Sequence, residues 1–294
     1  MKQERMQGTP DVQKVAILAQ QLRRDTVRMI AHAGSGHIGG ALSLAEYMAA
    51  LYGWAYEYDT DNTTDPDRDR IILSNGHTCA IWYAALARTG LIPLEELATH
   101  RRLGSRLQGH PSHKAMPQFV ETSSGPLGQG VPVANGIALS MRARSSKGRV
   151  YIVLGDGELQ EGQVWESFMT ASHYRLDSVC AFINMNNIQI DGTVQEVMGI
   201  EPLGSRLTSF GWHVIEIDGH DLQSLFDALK EAAETKGKPT AIIGHTVMAK
   251  GVPFMEGKAA WHGATPSAEQ TEDALNHIGT NTKYRDFPIA GNEE

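Results

Sequence analysis

Two groups of residues carry atoms able to hold a cation: Gly155-Asp156-Gly157-Glu158 and Asn186-Asn187-Ile188. A carboxylate and an amide oxygen brought together beside a glycine-rich turn suit a hard divalent ion, Mg2+ or Ca2+, that keeps positions open for phosphate oxygens. Taken singly, Asp156 reads equally well as a helix cap and the asparagine pair as a turn. Taken together they are far more specific, provided that the chain brings them to one place.

The surrounding elements meet that condition. Val150 to Leu154 is a short apolar, β-rich run that stops at Gly155-Asp156-Gly157, the pattern of a buried parallel strand ending in a tight loop. Gly162 to Tyr174 has helical spacing in Val164, Trp165, Phe168, Met169 and Ser172, and Ser178 to Asn184 is a second β-rich run. A right-handed strand–helix–strand crossover makes the two strands parallel and delivers Asp156 and Asn186 to the same carboxyl edge. Ligands of open α/β sheets bind at that edge.

Elsewhere, the spacing predicts a helix from Asp11 to Ala33, capped by Asp11, with Val12, Val15, Leu18, Leu22 and Ile30 near one face and Gly34 as its end. Gly34-Ser35-Gly36-His37-Ile38-Gly39 matches the dinucleotide fingerprint in letters, but that motif must follow a strand, and here a helix precedes it. A short helix is predicted over Ser43 to Gly53. The acidic run Asp59 to Asp69 lacks the glycine and terminal glutamate of a calcium hand and reads as a solvated loop. Arg70 to Leu73 is a strand, and His77 opens a helix over Thr78 to Thr89, where free N–H groups favour phosphate. Gly125 to Gly130 is a turn exposing its backbone ahead of a helix over Val131 to Ala143. Strands follow at His213 to Ile217 and Thr240 to His245, with a helix over Leu222 to Glu234 between them. Ala249 to Thr265 is a polar loop long enough to be a binding loop or a lid.

At 294 residues and 41% hydrophobic, the chain can bury a large core, and no Pro/Gly/Ser linker divides it, so one α/β domain over 1–294 is expected. The formal charge of −8 and a pI near 5.8 argue against a nucleic-acid surface, which needs clustered excess Lys and Arg. Arg23-Arg24 and Arg101-Arg102 read as solvated helix faces. The first residues lack an apolar signal core and no run is long enough to span a membrane. Cys79 and Cys180 are too few for a disulfide scaffold, and the expected compartment is the reducing cytoplasm.

Gly-Asp-Gly followed about thirty residues later by an Asn-Asn pair is similar to the thiamin diphosphate signature. Gly36-His37, Ser74-Asn75-Gly76-His77, Gly109-His110-Pro111, Gly125 to Gly130, Asp156 to Glu161 and Trp261-His262-Gly263 occur in the order found in transketolases. The chain resembles the amino-terminal, pyrophosphate-binding half of that family over nearly its whole length. It is most similar to the split type, in which two genes encode the two halves.

The resemblance implies a three-layer α/β/α fold with a mainly parallel sheet, thiamin diphosphate as cofactor, and Mg2+ or Ca2+ held by Asp156, Asn186 and the carbonyl of Ile188. It places His77 and His262 at the diphosphate, and Gly125, Pro126 and Leu127 in the turn whose main-chain groups touch the aminopyrimidine ring. Gly155, Gly157 and Glu158 join Asp156 in holding the cofactor. His37, His77, His110 and His262 would handle the hydroxyl protons of a sugar, and Glu161 and Glu166 would link two active sites across a subunit interface. Pro126 stands where many relatives have Ser or Thr, and Asn187 where several split relatives have Gly.

The implied reaction moves a two-carbon ketol unit from a ketose phosphate to an aldose acceptor. The glutamate that activates the pyrimidine ring and the basic residues that hold the substrate phosphate belong to the family's second half. A carboxy-terminal, pyrimidine-binding partner subunit in an α2β2 assembly is therefore expected. Other thiamin diphosphate enzymes, a deoxyxylulose phosphate synthase or a 2-oxo acid dehydrogenase component, share the signature. The histidines disfavour the dehydrogenase, since decarboxylation has no sugar hydroxyls to bind. A regulatory subunit that keeps the fold without catalysis is the reading from another class.

Overall fold

The computed structural model describes residues 1–289; residues 290–294 of the expected domain lie outside the described residues. Helix α1 spans Val12–Ala33. Its first turn is closed by Asp11, whose side chain accepts the Lys14 N–H at 2.9 Å. Its end is set by Gly34 at φ 68°, with the N–H returning to the carbonyls of Ile30 and Ala31.

Five strands form one parallel sheet: β1 Arg70–Leu73, β2 Val150–Gly155, β3 Val179–Met185, β4 His213–Asp218 and β5 Thr240–His245, in the order β1-β2-β3-β5-β4. Alternate side chains point to opposite faces, so the sheet must be covered twice. Ile71, Leu73, Tyr151, Val153, Phe182 and Ile242 pack with α1, α2 (Ile38–Ser43), α3 (Ala45–Ala50), α4 (Cys79–Arg88) and α7 (Leu222–Glu234). Ile72, Ile152, Leu154, Ala181, Ile183 and Ile243 pack with α5 (Gly130–Ala143) and α6 (Gly162–His173). The result is the expected three-layer α/β/α arrangement. Each fully buried aliphatic or aromatic side chain in it contributes about 1.5–3 kcal/mol. On the first face Tyr47 stacks on Phe182 with ring centroids 3.9 Å apart.

Several local readings are corrected. The helix placed over Ser43 to Gly53 starts earlier and is broken: α2 begins at Ile38, α3 ends at Ala50, and a π-helical turn covers Leu51–Ala55. Arg23 and Arg24 are buried, because each guanidinium meets a carboxylate two-pronged: Arg23 bonds Glu46 at 2.6 and 2.5 Å, and Arg24 bonds Asp286 at 3.0 and 2.7 Å. Arg101 is half-buried rather than solvated, whereas Arg102 is exposed. Asp69 ends the acidic run fully buried, accepting from Arg5 and from the N–H groups of Glu57 (2.9 Å) and Arg149 (2.7 Å). Helix α8, Ala268–Ile278, closes the chain on α1 behind a Ser267/Gln270 capping box. No helix among the described residues is long and apolar enough to cross a membrane.

Candidate functional site

Strands β2 and β3 end level, Gly155 opposite Asn184, so the loops leaving them share one edge of the sheet. A cavity of about 350 Å³ opens there. The four histidines, Glu161, Gly125, Leu127, Gly155 to Glu158, Asn186 and Ile188 line it, whereas Pro126 does not and is exposed. Pro126 is therefore set apart from the turn residues Gly125 and Leu127 on either side of it. Glu166 also lies outside the cavity, exposed on α6.

Asp156 is 3% exposed. One carboxylate oxygen accepts the Gly157 N–H at 2.8 Å, and the other accepts the N–H of Asn187. Burial pushes its carboxyl up to about 6, although these N–H donors pull the other way. Asn186 accepts the Ile188 N–H at 2.9 Å, which closes a turn and fixes its amide beside Asp156. Asn187, set aside for the metal, plays a different part, since at φ 60° it lies in the left-handed region and turns its N–H onto Asp156.

Glu158 holds three loops together. Its carboxylate accepts from the Ser74 hydroxyl at the end of β1, from the Gly128 N–H at 2.7 Å and from the Gly155 N–H at 3.2 Å. Burial raises its carboxyl to about 7. Both carboxylate oxygens are spent on the frame of the cavity, so its part is to fix the Gly125–Gly130 turn against the strand ends.

Four histidines arrive from four separate loops. His77 lies in the tight turn Gly76–Thr78 between β1 and α4, His37 caps α2, His110 follows Gly109, and His262 follows the short turn Ala259–Trp261. Ring centroids stand 5.3 Å apart for His37–His77, 5.9 Å for His37–His110, 6.0 Å for His37–His262 and 5.3 Å for His77–His262. The long loop before His262 is packed down rather than free, with Met248, Ala249, Val252 and Met255 at 0% exposure. Gly39 makes that docking possible: the Ala249 N–H donates to its carbonyl at 2.9 Å, and a Cβ there would stand 2.9 Å from the Trp261 carbonyl oxygen.

Burial and the neighbouring rings push His37 down to about 4 and His77 to about 3; burial also lowers His110 and His262. The cluster is neutral near pH 7, each ring offering one donor and one acceptor. The Nδ1 atoms of His37 and His262 are buried without a partner among the described residues, the condition of groups that await a ligand.

Three polar side chains in this cavity carried too little signal to be nominated. Asn184 donates to Ser43 Oγ at 2.8 Å and accepts from Thr246 at 2.7 Å, tying β3 to α2 and to the loop after β5. Its only mark in the sequence is a polar residue closing an apolar run. Gln160 donates to Gln189 at 2.7 Å and to the Met198 carbonyl at 3.0 Å, a pairing of two surface-type residues that no local pattern announces.

No group of three His, Cys, Asp or Glu side chains among the described residues could hold a metal. The atoms nominated from the sequence, the Asp156 carboxylate, the Asn186 amide oxygen and the Ile188 carbonyl, belong to residues that line this cavity; all are oxygen and too few to complete a coordination shell. Such a set fits a hard cation that takes its remaining ligands from water and phosphate.

The family model described as transketolase, thiamine diphosphate binding domain, matches residues 14–292. A 6-deoxy-6-sulfo-D-fructose transketolase subunit from a Clostridium strain is 41% identical over 259 residues, covering 87% of this chain and 93% of its own. An apulose-4-phosphate transketolase subunit from Phocaeicola vulgatus is 35% identical over 267 residues, covering 91% of this chain and 94% of its own. The solved transketolase from Leishmania mexicana superposes with a TM-score of 0.88 at 30% identity over 94% of this chain, but over only 43% of that longer chain.

Proposed function

We propose that this chain, which belongs to the transketolase family through its thiamine diphosphate binding domain, is the cofactor-holding subunit of a two-chain enzyme that moves a two-carbon ketol unit from a ketose phosphate to an aldose acceptor. The observation that carries this reading is the convergence of His37, His77, His110 and His262 on the cavity that also exposes Asp156 and Asn186.

The residues present fit thiamin diphosphate with a divalent cation. Asp156, Asn186 and the Ile188 carbonyl would hold Mg2+ or Ca2+, and a cation there would offset the cost of a buried Asp156 carboxylate. His77 and His262 would donate to the diphosphate, while Gly125 and Leu127 present main-chain groups to the ring. When bound, the cofactor supplies the electron sink for breaking and making the carbon–carbon bond. His37 and His110, neutral and close together, would orient the sugar hydroxyls and exchange protons with them. Glu161 lines the same cavity, while Glu166 lies on the outer face of α6; both would serve at a subunit boundary.

A partner chain completes the proposal. The Clostridium and Phocaeicola relatives, which are of this chain's own length, are named as subunits, whereas the chain spans under half of the solved transketolase. The partner is proposed to bring the pyrimidine-activating glutamate and the substrate-phosphate site, in an α2β2 assembly placed in the cytoplasm.

The test is calorimetric titration of thiamin diphosphate with Mg2+ into this chain, alone and with the partner encoded beside it, followed by a ketol-transfer assay. Binding and turnover only with the partner is the expected result. Absence of binding in both cases would overturn the cofactor assignment, and full turnover by the chain alone would overturn the two-chain reading.

A further inference from the structure

Beside the histidines lies a cation that no carboxylate among the described residues pairs with. Arg101 adopts φ 58°, a left-handed conformation that costs a non-glycine residue stability and persists where the surroundings impose it. Its N–H donates to the Leu107 carbonyl at 2.9 Å, folding the intervening segment back on itself. The side chain then reaches two loops. Nη1 donates to Ser35 Oγ at 3.3 Å, two residues before His37, and Nη2 donates to the Gly109 carbonyl at 3.4 Å, next to His110. Nε is buried without a partner, and no carboxylate among the described residues pairs with this guanidinium. A Cβ at Gly109 would stand 2.7 Å from Arg101 Cζ, so glycine is what lets the guanidinium lie against this backbone.

We propose that Arg101 is a positioning residue of this site, a bridge that joins the His37 and His110 loops and sets an unneutralised positive charge behind both rings. The proposal rests on the reading of these histidines as the groups that meet the sugar hydroxyls. The groups facing His37 are His77, His110, His262 and Arg101; those facing His110 are His37 and Arg101, while Asp156, Glu161 and Asp191 line the same cavity. A cation in a poorly hydrated wall opposes a second positive charge nearby, so both rings stay neutral and keep a lone pair free to accept a hydroxyl proton. Burial lowers both histidines, and Arg101 lowers them further. The bridge also holds the two rings 5.9 Å apart, close enough to address adjacent hydroxyls of one sugar.

The test is Arg101→Gln in the full chain, with histidine titrations followed by NMR and assigned through His37→Gln and His110→Gln. Without the cation, protonation of these rings is less opposed, so the His37 and His110 titrations should move up by roughly half a unit or more. In the complex with the partner, the acidic limb of ketol transfer should move to higher pH in step. Arg101→Lys keeps the charge, so its titrations should stay near wild type, and this variant carries the test if Arg101→Gln does not fold. Unmoved histidines in a folded Arg101→Gln protein, or an upward shift in Arg101→Lys, would overturn the proposal. The titration needs no turnover: moved histidines in a protein without ketol transfer would sink the proposed function and leave the role of Arg101 standing.

Discussion

The carboxylate of Asp156 accepts the backbone N–H of Asn187, across the helical crossover that separates the ends of β2 and β3. A residue with the lettering of a metal ligand is here a turn residue that holds the carboxylate of Asp156, the ligand proposed above. The φ of 60° at Asn187 explains why glycine and asparagine suit this position, since both enter the left-handed region at small cost. Asn187→Gly is expected to keep thermal stability within about 0.5 kcal/mol and to retain cofactor binding. Asn187→Val, branched at Cβ, should cost about 1–3 kcal/mol and weaken calorimetric binding of Mg2+ and thiamin diphosphate. A valine variant as stable and as tightly binding as wild type would refute this account.

Gly76 precedes His77 and lies against the Ser124–Gly125 turn. A Cβ there would overlap the Ser124 side chain, 2.8 Å from its Cβ, and stand 3.2 Å from the Gly125 nitrogen. Gly76→Ala must therefore displace the turn proposed to meet the pyrimidine ring. The expected outcome is a loss of cofactor affinity of roughly tenfold, about 1.4 kcal/mol, with a smaller effect on melting temperature. Equal losses in both measurements would assign Gly76 to folding alone.

The Tyr47 hydroxyl is buried with no hydrogen-bond partner among the described residues, and its ring stacks on Phe182. An unpaired hydroxyl in an apolar core carries a desolvation cost that folding does not recover. Tyr47→Phe keeps the ring and removes that cost, so the variant should be more stable by about 1 kcal/mol in chemical denaturation. A destabilised variant would show that the hydroxyl has a partner after all.

Glu46 gathers α1, α3 and the loop that carries His262. It accepts from Arg23 Nη1 and Nη2 and from His220 Nδ1 at 3.0 Å, while His220 Nε2 accepts the Val247 N–H at 2.8 Å. Burial opposes its ionisation, but the bonds from His220 and Arg23 outweigh that and hold the carboxyl at about 2, below its ordinary 4.5. The folded state thus binds the proton more weakly than the unfolded chain. The stabilisation is complete above pH 4.5 and is lost as pH falls toward 2. Glu46→Gln should remove on the order of 2 kcal/mol above that window and flatten the difference from wild type inside it. His37 and His77, held at about 4 and 3, add an earlier loss of stability as pH falls from 6.5, in variant and wild type alike. A wild-type-minus-variant difference that does not change with pH would rule out this role.

Where local rules suffice, the sequence was legible. The apolar runs ending at Gly155 and near Asn184, the Asp11 cap, the Gly34 stop and the glycine turn at Gly125–Gly130 follow from periodicity and backbone freedom, and the structure keeps them with ends moved by a residue or two. The Asp156–Asn186 pairing was legible too, because the handedness of one crossover forces it. Arg23, Arg24 and Asp69 were misread as solvated, because the burial of a charge depends on a partner far along the chain: Glu46, Asp286 and Arg5 respectively.

What the sequence by itself determined is the layered parallel sheet, the edge at which its loops converge, and the meeting of Asp156 with Asn186 at that edge. Only the tertiary structure decided that His37, His77, His110 and His262 share one cavity, that the Asn187 N–H meets Asp156, and that Arg101 reaches the loops of two of the rings with no carboxylate partner among the described residues. The reason is physical: strands, caps and turns are set by neighbours within a few residues. Meetings between distant loops are set by how whole layers pack, here by a glycine at position 39 that lets α2 lie against the chain ahead of His262.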